Sequence, residues 1–184
     1  MIATGAGLLT LLTVLQGVPD FRHEPSPAFP FGRAHPDAPA QLADFAFMIG
    51  SFNCHDERRL PDGSMQGFDA VWTARYFLNG HAIQDQYWAQ GFYTSNIRQL
   101  DESAGVWRVH YLSEPGYASG VWSGTREGDE ITLTRDIEQP GGGVVVSRLT
   151  FSNLSGDGFA WRSESLLPDG STTTGWTSDC VRAD

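Results

Sequence analysis

From Ala46 onward, β-branched and aromatic residues alternate with polar ones in short runs, and turn signals interrupt them about every 10 to 13 residues. That spacing is the mark of an all-β sandwich or barrel. The turns read "LPDGS" at 60–64, "LNGH" at 78–81 and "AQGF" at 89–92. Then follow "LDESAG", "EPGYASG", "REGDE", "QPGGG", "SNLSGDG" and a second "LPDGS" at 167–171. Asn-Gly and Pro-Asp-Gly supply the left-handed positions that tight hairpins need. Nine turns predict about ten strands, near residues 47–59, 65–77, 81–90, 92–100, 106–113, 118–126, 130–138, 144–152, 158–167 and 171–182. No helical stretch between them is long enough for a parallel crossover, so the strands should run up and down. An open meander of that size would leave long edges unpaired. The expected fold is therefore all-β, a single closed antiparallel meander barrel over residues 43–184.

The first 42 residues follow a different pattern. In "MIATGAGLLTLLTVLQG" Leu8, Leu11, Leu12 and Leu15 share one helical face, with Thr10, Thr13 and Gln16 between them. The segment lacks a basic start and a small-x-small cleavage site, and it is too short and polar to span a bilayer. It reads as a short amphipathic helix, with secretion not expected and a cytoplasmic location as the consequence. The proline-rich stretch from Val18 to Leu42 can neither continue a helix nor enter a central strand. Phe21, Phe29 and Phe31 give it apolar side chains to bury, so it reads as a strap and, with the helix, as a candidate lid over the barrel.

The alternation also sorts side chains by face. In the second strand Phe68, Ala70, Trp72, Ala74 and Tyr76 share the apolar face; in the fifth, Trp107, Val109 and Tyr111; in the ninth, Phe159, Trp161 and Ser163. Ile83, Asp85 and Tyr87 fall together on the third strand, which would put a carboxylate inside the barrel. Ile131, Leu133, Arg135 and Ile137 fall together on the seventh, which would put a guanidinium inside as well. A buried charge is costly unless paired, so an internal Asp85–Arg135 pair is expected. "FMIGSFNCHDERRL" places Cys54, His55 and Asp56 in succession. Adjacent strand residues point to opposite faces, so these three cannot form a nucleophile–base–orienter chain. Phe52, Cys54 and Asp56 then share one face and His55 takes the other.

Charge and composition narrow the function. The formal net charge is −10 and the pI about 4.8, which works against nucleic acid and anionic membrane surfaces as partners. All twelve basic residues are arginines. The absence of lysine excludes Schiff-base chemistry, a P-loop and a lysine general base. No histidine pair has metal-ligand spacing, and G-x-S-x-G, G-x-G-x-x-G before a helix and C-x-x-C are absent. Neither a metal nor a cofactor is expected. Self-association into a homodimer is left open.

At "FAFMIGSFNC" the chain resembles the Gly-x-Trp entry strand of calycins, the lipocalin-like superfamily, with Phe52 where Trp usually stands. "TSNIRQLDESAGVWRVHYL" is similar to a strand–turn–strand of bacterial lipocalin-like barrels of unknown function. The resemblance spans residues 45–182 and implies a cavity for a small, mostly apolar or aromatic molecule. It also implies that residue 52 packs against an Arg on the last strand, which matches Arg182. Haem-binding relatives, the nitrobindins, take an axial His from a strand near the carboxyl terminus; this chain has no His beyond His110. With Phe52 opposite Arg182, an antiparallel ladder puts Cys54 opposite Cys180, and the two are expected as reduced thiols packed at the seam. Ligand contacts are expected from Phe52, Trp72, Tyr76, Tyr87, Trp107, Tyr111, Arg135 and Trp161. Alternatively, the barrel is a cofactor-free enzyme, a cyclase or isomerase that holds its substrate in a reactive conformer. Asp85, His81 or Tyr87 would then handle protons, with His81 reaching the barrel mouth from its Asn-Gly turn.

Overall fold

In a computed structural model of the chain, which describes residues 21–183 apart from 117 and 140, ten strands follow one another around a closed antiparallel barrel. They are β1 (Gly50–Arg59), β2 (Met65–Phe77), β3 (Ala82–Ala89), β4 (Phe92–Asp101) and β5 (Val106–Glu114). They continue as β6 (Ala118–Glu127), β7 (Glu130–Glu138), β8 (Val144–Ser152), β9 (Gly158–Leu166) and β10 (Thr172–Arg182). Each strand pairs with its sequence neighbours, and β1 closes on β10. The fold is the closed meander that the turn spacing predicts. The amphipathic helix expected at residues 8–15 lies outside the described residues.

The first strand begins later than the pattern suggests. Residues Ala40–Met48 form a 3-10 helix, and β1 starts at Gly50. Leu42, Phe45 and Met48 are spaced by three, which lines them up on one face of a helix with three residues per turn. All three are buried. Phe45 meets Trp107 and Phe151 edge-on at 4.9 and 5.7 Å, so the helix plugs one end of the barrel. The same spacing was legible in "LADFAFM", but three apolar residues before a strand read equally well as more strand.

Gly50 has φ of +134°, and a Cβ there would collide with the Arg182 guanidinium. A glycine is therefore required where the helix hands over to β1. Arg182 lies over the Phe52 ring, 4.6 Å from its centroid, and donates to the carbonyl of Ile49 at 3.0 Å. It also donates to the Gly156 carbonyl. The contact implied by the calycin resemblance is present, with Phe in place of Trp.

The seam register is Phe52↔Arg182, Cys54↔Cys180, Asp56↔Ser178. Cys54 and Cys180 are joined in a disulfide with Cα atoms 4.0 Å apart, which corrects the expectation of reduced thiols. The physical reason is proximity: directly opposed residues in the narrow pairs of an antiparallel ladder have Cα atoms about 4.5 Å apart, close enough for a bond to form.

The described part of the strap lies against the β2–β3 hairpin at the plugged end of the barrel. His35 donates its backbone N–H to Gly80, Tyr76 donates to Phe31, and Asn79 donates to the Glu24 carboxylate. The His35 and His81 rings stack with centroids 4.4 Å apart, and the His23 ring lies tilted against His35 at 4.6 Å. Polar contacts and these histidine ring contacts hold the strap, while Phe21 and Phe29 remain exposed.

The seam disulfide joins cysteines 126 positions apart in sequence. Cys54→Ser or a strong reductant should lower unfolding stability by about 2–5 kcal/mol. Denaturant unfolding with and without reductant reads this directly, and equal midpoints would show that the bond contributes nothing.

Candidate functional site

The alternation of β2, β3, β4, β5, β6, β8 and β9 brings a ring-rich set of side chains to the barrel interior. Between the 3-10 plug and the opposite end lies a cavity of about 280 Å³. Its walls include Trp72, Tyr87, Phe92, Trp122, Phe151 and Trp161. Arg98, Val109 and Phe151 lie toward the plugged end, while Phe92, Tyr111, Ala118, Ser163 and Trp176 lie toward the other. Those of the second group that carry rings are half-buried, whereas Arg98, Val109 and Phe151 are fully enclosed. The site is thus deep at the helix end and accessible from the other.

Asp85 is fully buried, as its place on β3 predicts, but its partner is not Arg135. Asn96, directly opposite it on β4, donates to Oδ1 at 2.7 Å, and Arg98 donates Nε–H to Oδ2 at 2.7 Å. The Arg98 guanidinium is held between the rings of Phe45 and Phe151, at 4.7 and 5.2 Å. Arg135 lies on β7, several strands away around the barrel. Its guanidinium stacks on Trp122 at 4.8 Å and donates to the Ser119 carbonyl at 3.3 Å. It crosses Gly120 where any Cβ would collide with it. Arg98 escaped the sequence reading because Tyr93 and Ile97 make the outer face of β4 look as apolar as the inner one. Phe92 and Leu100, on the same parity as Arg98, were the available signal.

A second internal carboxylate was also missed as part of the site. Asp56 is fully buried and accepts three hydrogen bonds of 2.6 Å: from Tyr87 Oη and Trp176 Nε1 at Oδ2, and from Ser178 Oγ at Oδ1. Among the described residues no cation makes an ion pair with it. Tyr87 and Trp176 both line the cavity, so Asp56 fixes two wall side chains from behind. Burial, and secondarily the hydrogen bond to Asp56, push the Tyr87 phenol well above its ordinary pKa, which keeps it protonated and donating. A β-bulge between Thr174 and Trp176 re-aims β10 so that the indole reaches Asp56. A bulge leaves no mark in an alternation pattern except Gly175 beside the ring.

The remaining candidates divide between the cavity and its surroundings. Trp72, Tyr87, Tyr111, Arg135 and Trp161 line the cavity. Phe52 packs on Phe159 at 5.2 Å and Trp107 donates to Asp44 at 3.1 Å, both beneath the cavity near the plug. Tyr76 sits at the strap contact, and His81 stacks on His35 at that same plugged end, away from the accessible mouth. His55 points outward and pairs with Asp69 at 3.0 Å, a hydrogen bond that raises its pKa. Among the described residues no group of three or more His, Cys, Asp or Glu is placed to hold a metal ion.

The Asp85–Arg98 pair yields a stability prediction. Arg98→Met alone leaves a buried carboxylate without its cation and should cost about 3–5 kcal/mol. The double variant Asp85→Asn, Arg98→Met should lose less than the sum of the single variants, with a coupling of about 0.5–3 kcal/mol. Denaturant unfolding of the three variants measures it, and simple additivity would refute the pairing.

Comparison with known proteins adds the fold and little more. No family model matches the chain, and no curated protein matches it. Among solved structures it is similar to the crystal structure of Rv2717c from M. tuberculosis, with a TM-score of 0.55 and 12% sequence identity over 80% of this chain and 100% of that one. At that identity the likeness concerns the barrel alone.

Proposed function

We propose that this chain is a calycin-like barrel that binds a small, mostly aromatic or apolar molecule in its interior. The observation that carries this reading is the cavity of about 280 Å³ walled by aromatic rings. An apolar pocket with a few convergent polar groups is the usual form of a small-molecule site. For scale, an engineered apolar cavity of about 150 Å³ takes one benzene. A one- or two-ring ligand is therefore the right size, whereas a haem is too large. Native mass spectrometry of the purified protein should show a co-purifying small molecule or uptake of an added one such as naphthalene. Ser163→Trp, which adds an indole to the cavity wall, should weaken naphthalene binding by at least about tenfold and leave the β-sheet circular dichroism unchanged. Unchanged binding in that variant would move the site elsewhere.

A second reading, a cofactor-free cyclase or isomerase, has one observation in its favour: the Tyr87–Asp56 hydrogen bond sets a polarised phenol in the cavity wall. Asp85 suits proton transfer less well, because both its oxygens are already engaged by Asn96 and Arg98. In an enzyme, Tyr87→Phe should lower turnover by about a hundredfold or more. In a binding protein the same change should alter naphthalene affinity by less than about threefold.

The disulfide bears on location. Among the described residues no helix is long and apolar enough to cross a membrane. Disulfides persist in oxidising compartments and are rare in the cytosol. The Cys54–Cys180 bond therefore favours an oxidising compartment over the cytoplasm expected from the sequence.

A further inference from the structure

The polar groups around the cavity are unevenly satisfied. Its carboxylates are fully engaged: Asp56 accepts three hydrogen bonds, and Asp85 accepts from both Asn96 and Arg98. Its donors are not. Among the described residues, Trp72 Nε1, Arg98 Nη1 and Arg135 Nε are buried N–H groups without a hydrogen-bond partner, and all three residues line the cavity. Trp72 and Arg98 are 5% and 2% exposed, so solvent does not satisfy them from outside. A buried donor without an acceptor costs about 1–3 kcal/mol. Two of the three belong to side chains that pack on the same ring: Trp72 lies 6.0 Å from Phe151, and the Arg98 guanidinium 5.2 Å from it. The unpaired donors thus concentrate toward the deep end, and what they lack is an acceptor.

The charge of that acceptor follows from the neighbours. Arg98 is already neutralised by Asp85 at 2.7 Å, so an anion placed at Arg98 would also face Asp85. The wall's other guanidinium, Arg135, has no ion pair among the described residues but sits by Ser119 and Gly120, away from the plug. At the deep end an anion would leave water for a ring-lined chamber without a free counter-charge, which is costly. A neutral carbonyl oxygen takes N–H donors without that penalty. The Thr94 and Ser163 hydroxyls on the wall can donate or accept and favour neither choice.

Building on the small-molecule reading above, we infer that the ligand is a neutral aromatic molecule bearing a carbonyl-type oxygen, seated with that oxygen toward Trp72 and Arg98 at the deep end of the barrel. The test uses four probes of one ring size: naphthalene, 2-acetylnaphthalene, 2-naphthylmethanol and 2-naphthoate. Calorimetric titration of the full-length chain should rank 2-acetylnaphthalene first, at least about fivefold tighter than naphthalene, the scale of one or two recovered hydrogen bonds. The alcohol should fall between them, and 2-naphthoate should bind at least about tenfold more weakly than the ketone. Trp72→Phe keeps a ring and removes the donor, and it should bring the ratio of ketone to naphthalene affinity close to one, whatever it does to naphthalene binding itself. Independently of that variant's folding, the assigned indole N–H resonance of Trp72 should move downfield with the ketone and not with naphthalene. Equal affinity of ketone and naphthalene, an unmoved Trp72 resonance, or tightest binding by 2-naphthoate would each overturn the inference and leave the small-molecule reading standing. Failure of all four probes to bind would overturn both.

Discussion

One register governs this molecule. When β1 meets β10 with Phe52 opposite Arg182, every other seam pair is set, because opposed residues in an antiparallel ladder have a constant sum. That single alignment lets Arg182 cover Phe52 and tie the end of the 3-10 helix to the barrel. It brings Cys54 against Cys180, and it sets Asp56 beside Ser178 and within reach of Trp176. A slip of one residue would turn all of these to the wrong face. The plug, the disulfide and one wall of the cavity are therefore consequences of the closure and not separate features.

The two internal carboxylates show how a ring-lined interior tolerates charge. Asp85 is matched by a guanidinium whose faces are themselves covered by Phe45 and Phe151. Asp56 is matched only by neutral donors, each at 2.6 Å. Both arrangements engage every acceptor they contain and leave N–H groups of other wall residues without one. The interior's own acceptors are thus filled, and its open capacity lies in N–H donors. Such half-satisfied networks are costly in an empty core.

Much of the barrel is legible in the chain. The nine turn signals locate the ten strands within a few residues, since Gly, Asn and Asp are nearly obligatory where tight hairpins need left-handed backbone. The alternation correctly turns Trp72, Tyr87, Trp107, Tyr111 and Trp161 inward, and it separates Cys54 and Asp56 from His55. It fails where two faces are equally apolar, as on β4, and where a bulge breaks the count, as at Trp176. The 3-10 helix was hidden for a related reason: Leu42, Phe45 and Met48 are three apolar residues whose period is visible only once the helix type is known.

What the sequence by itself determines, then, is the number of strands, their alternation and the parity of most side chains, because these depend on residues a few positions apart. Which inward groups touch is decided only by the closed barrel. Asp85 and Arg135 share an interior yet do not meet, whereas Asp85 and Arg98 meet because β3 and β4 are adjacent and offset by the register of one hairpin. Asp56 and Trp176 are 120 residues apart in sequence and 2.6 Å apart in space. Local alternation assigns a face; only strand order, register and curvature assign a neighbour, and chemistry in a cavity is a matter of neighbours.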